Sequence, residues 1–132
     1  MKAKKILIID DEPTILKLLD FVLSKNYQVT TKSNGYEAIQ LLENGFNPDL
    51  IILDIVMPYF NGVDFFKSIK ISGLFRNIPV IVLTGDSDLE AVQFQMKFPV
   101  EKIMKKPFNP EKLKDAIKSI FVENEQTTEN NA

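Results

Sequence analysis

The stretch Leu50-Ile51-Ile52-Leu53-Asp54-Ile55-Val56-Met57-Pro58, followed by Gly62, decides the fold. Four successive apolar residues without polar alternation describe a strand buried on both faces. The carboxylate at its end, with a chain reversal signalled by Pro58 and Gly62, stands at the edge of a sheet. Two more runs have the same form. Ile6-Leu7-Ile8-Ile9 ends in Asp10-Asp11, and Val80-Ile81-Val82-Leu83 ends in Thr84-Gly85. Weaker strands are expected at residues 28–32 and 102–104, the latter leading to Lys106-Pro107-Phe108.

Helical periodicity fills the intervals. Ile15, Leu18, Leu19 and Val22 recur at i, i+3, i+4 and i+7, with Pro13 near the start. Ala38, Leu41 and Leu42 mark a second helix between Asn34-Gly35 and a stop at Gly45, and Phe65, Phe66 and Ile69 a third. A fourth is expected from about 87 to 98. The fifth takes Asn109 as N-cap and Pro110 as first residue, then carries Leu113, Ala116, Ile117, Ile120 and Phe121. Strands alternating with helices imply a doubly wound α/β fold in three layers: a five-stranded parallel sheet with helices on both faces and right-handed crossovers. Ligands of such sheets sit beyond the carboxyl ends of the strands, where the strand order reverses. Asp10, Asp54, Thr84 and Lys106 all fall at or just past such ends, so one shared pocket is expected.

At 132 residues and 45% hydrophobic content, one domain with a real core is expected, over residues 1–122. The polar stretch 123–132 is expected to be disordered. A net charge of −2 argues against direct nucleic-acid binding. No apolar run is long enough to cross a membrane, and residues 6–10 are too short for a signal-peptide core, so a cytoplasmic location is expected. The chain has no cysteine and no histidine, which removes disulfides, thiolate chemistry, a histidine triad and an ordinary zinc site.

Singly, each polar group has a plain structural reading. Asp10-Asp11 suits a helix start, Thr84 a turn, and Lys106 a solvated strand end. Together they describe chemistry. Carboxylates about 5 Å apart repel by roughly 3 kcal/mol at an effective dielectric of 20, so the pocket calls for a cation. Mg²⁺ suits it, taking oxygen ligands and keeping several waters. The same pocket suits a phosphoryl group, with Asp54 as nucleophile, Thr84 as hydroxyl donor, Lys106 as mobile charge and Gly85 allowing close backbone approach. A phosphatase of the haloacid dehalogenase type would carry a second Asp two residues after the nucleophile, where this chain has Val56. A flavin site rests on fold analogy alone, since no hydroxyl-rich loop follows the first strand.

Asp10-Asp11, Asp54 with Met57-Pro58 and Gly62, Thr84, and Lys106-Pro107-Phe108 resemble the receiver domain of two-component response regulators, of the stand-alone, chemotaxis-regulator-like kind. The likeness covers about residues 4–122. It implies a flavodoxin-like fold and a phosphorylation switch rather than an enzyme, with Asp54 as phosphoacceptor. It implies Mg²⁺ bound by Asp11, Asp54 and the carbonyl of Val56, with Asp10 acting through water. Lys106 would pair with the phosphoryl group, and Thr84 would turn inward and signal to the fourth helix, fifth strand and fifth helix. The implied partners are a histidine kinase or histidine phosphotransfer protein and a downstream protein target; the alternative is a receiver-like interaction module that works without phosphorylation.

The chain departs from the family pattern at Ile103, where an aromatic residue is frequent and where a stiff β-branched side chain cannot swing like a ring. Phe98-Pro99-Val100-Glu101 lacks the usual Gly-Ala pair, and Gly85 stands where alanine is frequent. On the fourth helix, Leu89, Val92 and Met96 share one side and Ala91, Phe94 and Phe98 the other. Two readings stay open: Ala91, Phe94, Phe98 and Ile103 form a partner or weak homodimer surface, or the helix ends early and Phe98 folds into the core. Phe21 lies opposite the apolar stripe of the first helix, where the resemblance places kinase docking.

Overall fold

A computed structural model describes residues 3–55, 61–86 and 89–130, the last seven as helix backbone only. Five strands, β1 (Lys5–Ile9), β2 (Gln28–Lys32), β3 (Leu50–Asp54), β4 (Val80–Thr84) and β5 (Lys102–Lys105), alternate with five helices, α1 (Pro13–Leu23), α2 (Gly35–Glu43), α3 (Gly62–Ile71), α4 (Leu89–Met96) and α5 (Pro110–Asn130). All pairings are parallel and the order is β2-β1-β3-β4-β5. This is the doubly wound sheet expected from the alternation, in the flavodoxin-like order that the resemblance implies.

The unbroken apolar runs have their cause in the two cores. Leu7, Ile9, Ile51, Leu53 and Val82 pack with Ala38, Leu42, Phe65, Phe66, Ile69, Val92 and Met96 on the face covered by α2, α3 and α4. Ile6, Ile8, Leu50, Ile52, Ile81 and Leu83 pack with Leu19, Leu23, Leu113 and Ile117 on the face of α1 and α5. Successive strand residues serve opposite layers, so a central strand here has no polar side. Each fully buried Ile or Leu contributes about 1.5–3 kcal/mol. The edge strand β5, by contrast, has half-buried Ile103 and Met104 between exposed Lys102 and Lys105.

Local signals set the helix limits. Asn34 Oδ1 accepts from the Glu37 N–H at 2.9 Å, Asn61 Oδ1 from Asp64 at 3.0 Å and Asn109 Oδ1 from Glu111 at 2.8 Å. Each such cap stabilises its helix by about 1 kcal/mol. Asn34-Gly35, taken above as the boundary before the second helix, is the cap and first residue of α2. Gly45, at φ +102°, takes the left-handed position after that helix.

Two expectations change. The backbone is helical to Asn130, through most of the 123–132 stretch expected to be disordered. No Gly or Pro interrupts residues 111–130, so no breaker stops the helix there. At the other change, α4 ends at Met96 rather than 98, with Lys97 at φ +71°, while residues 87 and 88, its expected start, lie outside the described residues. The reversal at Lys97 turns Phe98 inward, where its ring meets Phe66 edge-on at 6.4 Å between centroids. Phe98 and Ile103 are half-buried against the core under α4, whereas Phe94 is 76% exposed. The four-residue surface thus shrinks to Phe94 and the exposed Ala91.

Candidate functional site

The strand order reverses between β1 and β3, since β1 leads outward to β2 on one side while β3, β4 and β5 follow on the other. Register pairs Ile9 with Leu53, so Asp10 and Asp54 emerge side by side at this switch point. Asp10 is 1% exposed and Asp54 5%, yet neither lacks compensation. Asp10 Oδ1 accepts from the Glu12 N–H at 2.9 Å, and Asp10 Oδ2 accepts from Lys106 Nζ at 2.9 Å. Lys106 Nζ lies 3.6 Å from Asp54 Oδ2 and 3.2 Å from Glu12 Oε1. Burial of this kind would cost several kcal/mol for unpaired charges.

Lys106 reaches the site because β5 pairs with β4 and the Lys106 N–H donates to the Thr84 carbonyl at 2.7 Å. Burial would lower its ammonium pKa. The hydrogen bond to Asp10 and the charges of Asp54 and Asp10 outweigh that and hold it above the usual lysine value. Thr84 is fully buried, and its Oγ1 accepts from the Asp86 N–H at 3.0 Å. Gly85 is exposed beside it. Gly62 is required by close approach: a Cβ there would strike the Asp54 carbonyl oxygen and the Ile55 Cα, while its N–H donates to the Ile55 carbonyl at 3.0 Å.

Carboxylate oxygens of Asp10, Asp11, Glu12 and Asp54 all lie within 4.8 Å of one another. Hard oxygen donors this close, two buried and two exposed, fit a divalent cation of the Mg²⁺ kind. Of the residues singled out from sequence, Asp10, Asp11, Asp54 and Lys106 come together, and Thr84 ends the adjacent strand. Val56, whose carbonyl the resemblance assigns to the metal, lies outside the described residues. Glu12 was not singled out. It stands at the N-cap of α1 without a side-chain capping bond, which only the folded chain shows.

The profile of the response regulator receiver domain matches residues 6–118. The chain is 34% identical over 120 residues to the Bacillus subtilis alkaline phosphatase synthesis transcriptional regulatory protein PhoP, covering 89% of this chain and 48% of that protein. It is 33% identical over 119 residues to sporulation initiation phosphotransferase F of the same organism, covering 89% and 94%. A CheY-like receiver domain structure from Methanospirillum hungatei superposes with a TM-score of 0.85 at 28% identity, covering 96% and 99%. The chain belongs to the response regulator receiver domain family. Domains of this family are signalling switches of two-component systems, bind Mg²⁺ through an acidic pocket, and interact with histidine kinases and downstream targets. The chain spans about half the length of PhoP, and 94% of phosphotransferase F. Among the described residues, no helix is long and apolar enough to cross a membrane.

Proposed function

We propose that Asp54 accepts a phosphoryl group from a phosphohistidine on a histidine kinase or histidine phosphotransfer protein, and that the domain then acts as a phosphorylation-controlled binding switch or a phosphorelay intermediate. One observation carries this reading: a nearly buried Asp54 carboxylate at the strand-order switch point, 3.6 Å from Lys106 Nζ and inside a carboxylate cluster. An Asp54 oxygen forms the new O–P bond as the P–N bond to the imidazole breaks, its electron pair returning to that nitrogen. Lys106 supplies a positive charge to the phosphoryl oxygens. The Thr84 hydroxyl accepts from Asp86 through Oγ1 and keeps its own proton for a phosphoryl oxygen once the side chain turns toward Asp54. Asp10, Asp11 and Asp54, with the Val56 carbonyl, are the proposed ligands of magnesium. When bound, it neutralises charge between the carboxylates and the incoming phosphoryl oxygens.

Phosphorylation adds about one unit of charge beyond the carboxylate it modifies, together with three strong acceptor oxygens. A perturbation of that size shifts the balance of two existing forms, and a partner that distinguishes them reads it out. A downstream target, or a second copy of the chain, is proposed to bind at α4 and β5, around Phe94. The test is intact mass after incubation with Mg²⁺ and acetyl phosphate, for wild type and Asp54→Asn. One added phosphoryl group, dependent on Mg²⁺ and absent in Asp54→Asn, is expected. No adduct in wild type, with a phosphorylated histidine kinase also failing as donor, would favour a phosphorylation-independent interaction module.

A further inference from the structure

We infer that Glu12 is a positioning residue for Lys106: it competes with an incoming phosphoryl group for the lysine and so biases the site toward its unphosphorylated form. The inference rests on the proposed function and deepens it. Glu12 sits at the N-cap of α1, at φ −91° and ψ 110°, but its side chain makes no capping bond to the helix. Its Oε1 is instead 3.2 Å from Lys106 Nζ. Lys106 is thereby held between Asp10 at 2.9 Å and Glu12, with Asp54 the most distant of its three carboxylate partners at 3.6 Å.

The two closer partners differ in how readily they let go. Asp10 is 1% exposed and fixed from both sides, by Lys106 and by the Glu12 N–H. Glu12 is 52% exposed, so water replaces the ammonium when the pair opens. Glu12 is therefore the exchangeable partner, and a phosphoryl group on Asp54 takes its place on Lys106. Engaged with Lys106, Glu12 is not required for the cation, which has Asp10, Asp11 and Asp54.

The probe is beryllofluoride, a phosphoryl stand-in that binds an aspartate oxygen, titrated in the presence of Mg²⁺. Glu12→Gln keeps the side-chain length and removes the charge. It is expected to tighten beryllofluoride binding by roughly two- to fivefold, the worth of a half-exposed ion pair. The gain should shrink as salt is raised. It should disappear in a Lys106→Met background, because the effect passes through that lysine. Mg²⁺ affinity, measured separately by calorimetry, should change by less than about threefold, within the worth of such a pair. Glu111→Gln removes an exposed charge paired with Lys114 instead, and should change nothing.

Unchanged or weaker beryllofluoride binding in Glu12→Gln would overturn the inference, as would a gain that persists without Lys106. A tenfold or greater loss of Mg²⁺ affinity would overturn it differently, making Glu12 a cation ligand. If wild type itself neither binds beryllofluoride nor gains a phosphoryl group, the proposed function falls, which is distinct from a wild type that binds while Glu12→Gln behaves identically.

Discussion

Gly62→Ala tests how tightly the phosphoacceptor strand and α3 are built together. The added Cβ meets the Asp54 carbonyl oxygen and the Ile55 Cα, both backbone atoms with no rotamer by which to move aside. The helix cannot easily withdraw, since Asn61 caps it and Phe65, Phe66 and Ile69 are all 0% exposed beneath it. Overpacking costs about 1–3 kcal/mol, and two immobile partners place this site near the upper end, at about 3 kcal/mol. Alanine returns up to about 1 kcal/mol through helix propensity and reduced unfolded-chain entropy. The net loss is about 2 kcal/mol, or about 6–10 °C in Tm for a domain of this size. Circular dichroism melting is the assay, because the chain has no tryptophan. Phosphorylation should also slow by about tenfold or more, since the displaced backbone carries Asp54 itself. Gly73→Ala is the internal control: its Cβ would meet nothing, so it should be neutral or stabilising by up to about 1 kcal/mol. A Gly62→Ala protein with a Tm within about 2 °C of wild type and an unchanged phosphorylation rate would refute the reasoning.

Lys106→Met leaves the Asp10, Glu12 and Asp54 carboxylates without their shared cation, so urea unfolding without divalent ions should show a loss of about 2–4 kcal/mol that shrinks when Mg²⁺ is added. Lys106 also makes alkaline stability pH-dependent. Its folded pKa is raised, so the folded state holds the proton to higher pH than the unfolded chain. The contribution is complete below the unfolded value of about 10.5 and is lost as pH rises through the folded value, so the stability gap between wild type and Lys106→Met should narrow above about pH 10.5. Phe98→Ala removes the ring packed on Phe66 and should cost about 2 kcal/mol in urea unfolding. Phe94→Glu should change stability by under about 0.5 kcal/mol while weakening target binding or self-association, because Phe94 is 76% exposed. Undiminished binding would remove α4 from the proposed surface.

Much of this architecture is dictated by short-range chemistry, and that part is legible in the chain. The runs at 6–9, 50–53 and 80–83 are apolar at every position because strands covered on both faces have no side for a polar residue. Asn109-Pro110 marks a helix start because a side-chain oxygen satisfies a free N–H and proline arrives with a helical φ. Placing Asp10, Asp54, Thr84 and Lys106 at or just past strand ends required only the alternation of elements and the parallel-sheet rule.

What tertiary structure decided concerns side chains whose local preference was divided. Phe94 and Phe98 stand on one expected helix face, yet the left-handed Lys97 sends Phe98 onto Phe66 and leaves Phe94 in water. No helical pattern reveals where such a reversal falls. The continuation of α5 to Asn130 is equally hidden, since polar residues without breakers are compatible with helix or coil alike. Glu12 is the clearest case. Sequence places it beside Asp11 at a helix start, where a carboxylate ordinarily serves the helix dipole. Only the parallel pairing of β4 with β5 carries Lys106 across 94 residues of chain to within 3.2 Å of it. Local preferences thus set the strands, caps and helix starts, because those depend on neighbours within a few residues. The ammonium's choice among three carboxylates depends on strand order, which is a property of the folded sheet as a whole.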